Sequence, residues 1–157
     1  MIKIRGYKES DANALWAIFY HTIRNINVRD YSQAQVEAWA PDSPDAEVWT
    51  NKMRSISPFV AEIEGKIVGY TDLQNDGLID HFFCHYEYQG KGIGRRLMEY
   101  VLAEGQARGV KRFYSEVSIT ARPFYERFGF KVIEEQVVTL RGQKLKNFVM
   151  ERNATIK

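Results

Sequence analysis

The sequence predicts one α/β domain, in the α+β sense of a mixed, mostly antiparallel central sheet flanked by helices in three layers. Three observations carry this. Short runs of period-two alternation are punctuated by Gly, Asn and Asp turns. Helix-periodic segments are interspersed among those runs instead of forming a separate block. No linker, repeat or low-complexity segment divides the 157 residues, so a single domain over 1–157 is expected.

MIKIRGY sets Ile2 and Ile4 against Lys3 and Arg5, a strand with one inward face. A helix follows, capped by Ser10 or Asp11, with Leu15, Ile18, Phe19, Thr22, Ile23 and Ile26 at helical spacing. YSQAQVEAWA starts a second helix at the capping Ser32 and stops it at Pro41; a third follows Pro44. Residues 58–86 read as an antiparallel meander of three strands, with Glu64-Gly65-Lys66 and Asn75-Asp76-Gly77 as turns. Gly92 to Arg108 is helical, with Ile93, Leu97, Met98, Val101 and Leu102 on one stripe and Gly109 at its end. KRFYSEV is a strand, Thr120 caps ARPFYERF, and two strands joined by Arg141-Gly142 close the chain as a hairpin.

Composition excludes several function classes. The net charge of +2 supplies no global field for nucleic acid or an anionic membrane. The lone Cys84 forms no internal disulfide and sits in an apolar run, where a buried inert thiol is expected. The N-terminus has no apolar signal core and no segment approaches the ~20 apolar residues of a membrane span, so a cytoplasmic protein is expected. At 13%, the aromatic share exceeds what a plain core requires and suggests a lined pocket.

YQGKGIGRR, residues 88–96, gathers three glycines and three cations before a helix. A P-loop would need Lys-Ser/Thr after its last glycine, whereas Gly94 is followed by Arg95-Arg96. A dinucleotide fingerprint needs G-x-x-G spacing inside a parallel unit, and here Gly90, Gly92 and Gly94 lie two apart after an antiparallel meander. What remains is a side-chain-poor turn presenting backbone N–H groups at a helix N-terminus, which suits an anion.

Gln89-Gly90-Lys91-Gly92-Ile93-Gly94 resembles the Q/R-x-x-G-x-G/A acetyl-CoA signature of the GNAT superfamily of N-acetyltransferases. PFYERFGF, residues 123–130, is similar to that family's later Y-E-x-x-G-F segment, and the order of elements matches over nearly the whole chain. YSQAQVEAWA, VSITARPFYERFGF and LRGQKLKNF further resemble its YafP-like bacterial subgroup. Tyr86 stands where many members carry Pro before the signature, a departure that bears on the turn more than on the chemistry.

The resemblance implies a three-layer acyl-CoA N-acyltransferase fold that takes acetyl-CoA as cosubstrate and transfers its acetyl group to an amine by direct attack in a ternary complex. It implies that the backbone of Phe82, Phe83 and Cys84 pairs with pantetheine. Gly90, Gly92, Ile93 and Gly94 would wrap the pyrophosphate, with Gln89 bracing the turn and Lys91 or Arg95 adding charge, side chains that read equally as solvent-facing. Tyr125 matches the family tyrosine that protonates the leaving sulfur, and an ordinary pKa of ~10 keeps it protonated. Asp80 is the first candidate base, Glu116 the second and His81 the third; each carboxylate reads equally as an ordinary strand residue. His81 and His85 are ~13 Å apart along a strand, too far to share an ion directly, so no metal is expected.

Tyr20, His21, Arg24, Tyr31 and Trp39 are the candidate acceptor-site residues, because the family's acceptor lies beside its first helical region. The expected partner is a small-molecule or peptide amine, with no nucleic acid and no membrane; a homodimer is compatible with such folds. Two other functions stay open: a non-catalytic CoA-sensing or interaction module, and a transferase of a different acyl group.

Overall fold

The computed structural model describes residues 1–154. β1 (Ile2–Gly6), β2 (Phe59–Ile63), β3 (Lys66–Thr71) and β4 (Phe82–Cys84) form an antiparallel sheet in that order. β5 (Arg112–Ser118), β6 (Lys131–Leu140) and β7 (Gln143–Asn153) form a second antiparallel sheet with β7 central. One face of the first sheet carries α1 (Ala12–Asn25), α2 (Gln33–Trp39) and α3 (Ala46–Ile56), whose Leu15, Ile23, Val36 and Met53 pack with Val60 and Tyr70. On the other face, Ile93 and Leu97 of α4 (Ile93–Ala107) pack with Ala61 and Val68. Beside it, Tyr125 of α5 (Arg122–Arg127) joins Phe113, Val117 and Phe148 of the second sheet. The layers are therefore helix, sheet and helix, as the alternation of apolar patterns requires.

Three local expectations are corrected. Ser10 and Asp11 were candidate caps for α1, but the Asp11 carboxylate is bound by the Arg5 guanidinium at 2.8 and 2.9 Å and by Lys8 N–H at 2.8 Å, so it ties the helix to β1 without capping it. Thr120 does not cap α5 either. Ser118 Oγ accepts from Ala121 N–H at 3.0 Å and shapes that turn, leaving Thr120 Oγ1 with no partner among the described residues. At α2 the sequence reading holds: Ser32 Oγ accepts from Gln35 N–H, and the Gln35 side chain answers Ser32 N–H.

The third correction concerns the meander. Asn75-Asp76-Gly77 turns the chain as expected, with Gly77 N–H donating to Gln74 O and Gln74 N–H to Leu78 O, both at 2.9 Å, but the third strand shrinks to Phe82–Cys84. Residues 72–81 form a loop instead, because the buried Asp72 carboxylate collects Asp80 N–H at 3.1 Å, His81 N–H at 2.6 Å and the Gln74 amide at 2.7 Å. A side chain thus does the pairing that a strand partner would have done.

Burial holds the Asp72 carboxyl above its ordinary value, at about 6, even though these hydrogen bonds favour its charged form. The folded state then binds this proton more tightly than the unfolded chain does. Its stabilising contribution is complete below about pH 4 and is lost as the pH rises through about 6. Asp72→Asn should remove that slope. Urea unfolding of both proteins should show the difference in stability shifting toward the variant by on the order of 3 kcal/mol between acid and neutral pH, and a pH-independent difference would contradict the assignment.

Candidate active site

Among the described residues the two sheets share one backbone bridge. Leu78 bridges Tyr114 in a lone parallel contact, where Ile79 N–H donates to Tyr114 O at 2.9 Å and Tyr114 N–H donates to Gly77 O at 3.1 Å. Beyond it, among the described residues, β4 and β5 pair only with their own sheets, so β4 is an edge strand whose outer row of backbone groups meets no further strand. A cavity of about 960 Å³ fills the divergence, and both strands, the start of α4, α5 and the β6–β7 hairpin line it.

At one end lies the glycine turn. The Gln89 side-chain amide donates to Cys84 O at 3.0 Å and His85 O at 3.3 Å, fastening the turn to the end of β4. Gly90 and Gly92 have φ of 74° and 83°, and no protein atom lies within 4 Å of where a side chain would begin. These positions require glycine for their backbone, and they leave open space above it. Gly94 differs: a side chain there would begin 3.1 Å from the Phe124 ring, so its bareness lets α5 approach α4. Arg96 N–H returns to Gly92 O, and the N–H groups of Ile93, Gly94 and Arg95 precede that first helical bond. Arg95 lines the cavity, 3.7 Å from Glu99 and 5.6 Å over the Phe128 ring. Lys91 is exposed and does not line it.

Along β4 the side chains alternate as expected. Phe82 packs on Phe124 and Tyr125, and Phe83 faces the other way onto Phe19 and Tyr70. Cys84 lies beside Gly94, and burial pushes its thiol up to about 12, consistent with an inert residue. Thr22 of α1, unmarked in the sequence reading as a site residue, donates to Cys84 O at 2.8 Å.

Tyr125 is buried at the centre of the cavity wall, and burial raises its phenol well above the ordinary value. Among the described residues its hydroxyl has one hydrogen-bond partner, Ser115 Oγ at 3.5 Å, while Ser115 spends its own proton on Ile79 O at 2.7 Å. The phenol is thus firmly protonated and loosely held. Asp80 and Glu116 both line the cavity. Asp80 Oδ2 is paired with Lys52 Nζ at 2.6 Å, and Glu116 Oε1 accepts from the neutral Gln136 amide at 2.6 Å.

Tyr31 and Trp39 line the cavity, whereas Tyr20, His21 and Arg24 do not. Those three lie off the inward face of α1 defined by Leu15, Ile18, Phe19, Thr22 and Ile23. Arg24 donates to Ala40 O at 3.0 and 2.9 Å and pairs with Asp42 at 2.9 Å, while the Tyr20 hydroxyl donates to the same carboxylate. His21 rests edge-on against Tyr20. Tyr31 is a strut as well as a wall, donating to Lys146 O at 2.5 Å and accepting from Ile119 N–H at 3.0 Å. The lining also includes Asn27, Val138, Leu140, Leu145 and Asn147, which sequence reasoning did not place. Their only signal is tertiary: the closing hairpin folds back over α1 and α2. Among the described residues no helix is long and apolar enough to cross a membrane, and no group of three or more His, Cys, Asp or Glu could hold a metal.

Known proteins are similar to this chain in sequence and fold. The acetyltransferase (GNAT) domain family matches residues 27–151. The uncharacterized N-acetyltransferase YafP of Escherichia coli K12 is 32% identical over 149 residues, covering 95% of this chain and 94% of YafP. A crystal structure titled as a GCN5-related N-acetyltransferase from Rhodopseudomonas palustris superposes with a TM-score of 0.92 at 27% identity, covering 96% and 94% of the two chains. PaiA N-acetyltransferase from Thermoplasma acidophilum, solved with coenzyme A, shares the fold with a TM-score of 0.76 at 20% identity, covering 98% and 99%.

Proposed function

Since the chain belongs to the GNAT acetyltransferases, we propose that it moves the acetyl group of acetyl-CoA to a primary amine by direct attack while both substrates are bound. It is an acetyl-CoA-dependent N-acetyltransferase; the order of events, the residues and the acceptor are the proposal. One observation carries it. A single cavity is lined by the glycine turn at α4, the open edge of β4, Tyr125 and two carboxylates.

The cavity fits such a cosubstrate. Open space above Gly90 and Gly92, together with N–H groups at the first turn of a 15-residue helix, suits a pyrophosphate. Gln89 holds that turn in place, Ile93 and Gly94 contribute N–H groups, and Arg95 adds charge at the wall. Lys91 contributes at most diffuse attraction from outside the cavity. Along Phe82, Phe83 and Cys84, the outward backbone groups other than Cys84 O, which Thr22 and Gln89 already hold, are offered to the amides of pantetheine, as an added strand would use them. Acetyl-CoA supplies the activated acyl carbon and a thiolate leaving group.

A carboxylate takes the proton of the amine. Proton uptake by Asp80 would break its ion pair with Lys52, whereas Glu116 is bonded only to a neutral amide, so the geometry favours Glu116 and reverses the order given by sequence. Tyr125 then donates its loosely held proton to the departing sulfur. Phe19, Trp39, Val138 and Leu140 supply an apolar wall for the acceptor, so an amine with an apolar body fits better than a polyamine.

Thermal melting with acetyl-CoA, ATP and NADH, followed by thiol release over a panel of amines, tests this reading. Selective stabilisation by acetyl-CoA and amine-dependent release are expected. Stabilisation without release by any amine would instead support a CoA-sensing module. Gly92→Ala should weaken acetyl-CoA about tenfold by titration calorimetry, because its new methyl group enters the space above the turn and its positive φ is strained; unchanged affinity would remove the turn from the site.

A further inference from the structure

His81 stands just before β4 and lines the cavity, and nothing in the steps above uses it. Its ring lies among Phe19 of α1, Trp49 of α3, Tyr70 of β3 and Phe83 of β4. Nδ1 is 3.0 Å from the hydroxyl of Tyr70, a side chain with no exposed surface. That hydroxyl has no other partner among the described residues, and a sealed O–H must donate to something. Nδ1 is the acceptor available, which places the ring proton on Nε2. Nε2 has no protein partner among the described residues and is not sealed from solvent, and His81 is one of the residues that line the cavity.

We infer that His81 acts as a neutral hydrogen-bond donor through Nε2–H to the oxygen that becomes negative as the amine attacks, its tautomer locked by Tyr70. This rests on the acetyl-transfer reading above. No bond to His81 forms or breaks. The amine lone pair forms the C–N bond and the carbonyl π pair moves onto oxygen. An oxygen lone pair then re-forms the C=O bond as the C–S bond breaks with its electrons on sulfur, which receives the Tyr125 proton, while the amine's proton passes to the carboxylate base. A donor suits the developing oxyanion and cannot accept the amine's proton, which removes His81 from the candidate bases. Among the charged groups around it, Asp72 is bound to its backbone N–H, and Asp80 is paired with Lys52 of α3. Burial lowers the basicity of the ring and outweighs the attraction of Asp80, in keeping with a neutral imidazole.

Two-bond ¹⁵N–¹H spectra of the histidine rings test the lock, with His81 assigned by its absence in His81→Gln. The expected signal is the neutral Nε2-protonated form from about pH 5.5 to about pH 8.5, and Tyr70→Phe should give a mixture of tautomers. Steady-state kinetics test the role. His81→Ala should lower kcat on the order of 10²-fold with KM for acetyl-CoA unchanged, and His81→Gln, which keeps a donor, should recover most of it. An imidazolium signal at neutral pH would overturn the proposal. So would a glutamine variant as inactive as the alanine one, or a defect confined to KM for the amine. Absence of acetyl transfer by the unaltered protein would defeat the underlying reading, while the spectra would still decide the tautomer.

Discussion

Replacing Tyr125 by phenylalanine is expected to lower kcat by roughly 10²- to 10⁴-fold, the range that a positioned acid or base contributes. Folding stability should change by less than about 1 kcal/mol. The separation of the two effects follows from how the hydroxyl is held. The ring packs against Phe82, Phe124 and Phe130, all of which phenylalanine would still touch. Among the described residues the hydroxyl's only partner is 3.5 Å away, and that partner, Ser115, keeps its stronger bond to Ile79 O. Removing the oxygen therefore leaves no strongly held group stranded, while the sulfur loses its proton donor. Single-turnover rates, acetyl-CoA affinity and thermal melting should be measured together. Parallel losses in all three would show a packing residue instead of an acid.

Gly77→Ala should have the largest effect on folding, at least about 3 kcal/mol. Gly77 has φ of 96°, and a side chain would begin 1.9 Å from the backbone carbonyl oxygen of Arg112. That oxygen belongs to β5 and cannot swing aside as a flexible side chain could. The same glycine accepts Tyr114 N–H, and the adjacent Asp76 accepts from Leu78 N–H at 3.1 Å and from the Tyr114 hydroxyl. The substitution thus strikes the backbone bridge between the sheets, and activity should fall with stability. A urea midpoint close to that of the unaltered protein would show that the junction yields more easily than its geometry indicates.

Much of this architecture was legible because its signals are local. The Ser32 cap, the α4 stripe and the Arg141-Gly142 hairpin depend on residues within a few positions of one another, and all form as read. The loop at 72–81 was not legible, since alternation in LIDHFFC gives no sign that a buried carboxylate eight residues earlier will capture Asp80 N–H. The glycine turn was readable for the same local reason that it is rigid: backbone conformation dictates residue type there. Acceptor residues were harder. Tyr20, His21 and Arg24 share a helix with inward-facing neighbours, and a shift of one position around that helix decides whether a side chain meets the cavity or Asp42. The Tyr70–His81 pair joins residues from a strand and a loop, and only the fold brings them within a hydrogen bond.

The inward-facing edge of β4 also bears on how this chain avoids its own copies. An exposed strand edge invites another molecule to add a strand, the first step of ordered aggregation. Here the edge opens into a cavity walled by β5, α5 and the closing hairpin, where an extended chain from a neighbouring molecule meets a barrier before it can align. The gap between the sheets thus keeps this stretch of backbone hydrogen-bonding capacity out of reach of large chains while leaving it open to something as thin as pantetheine.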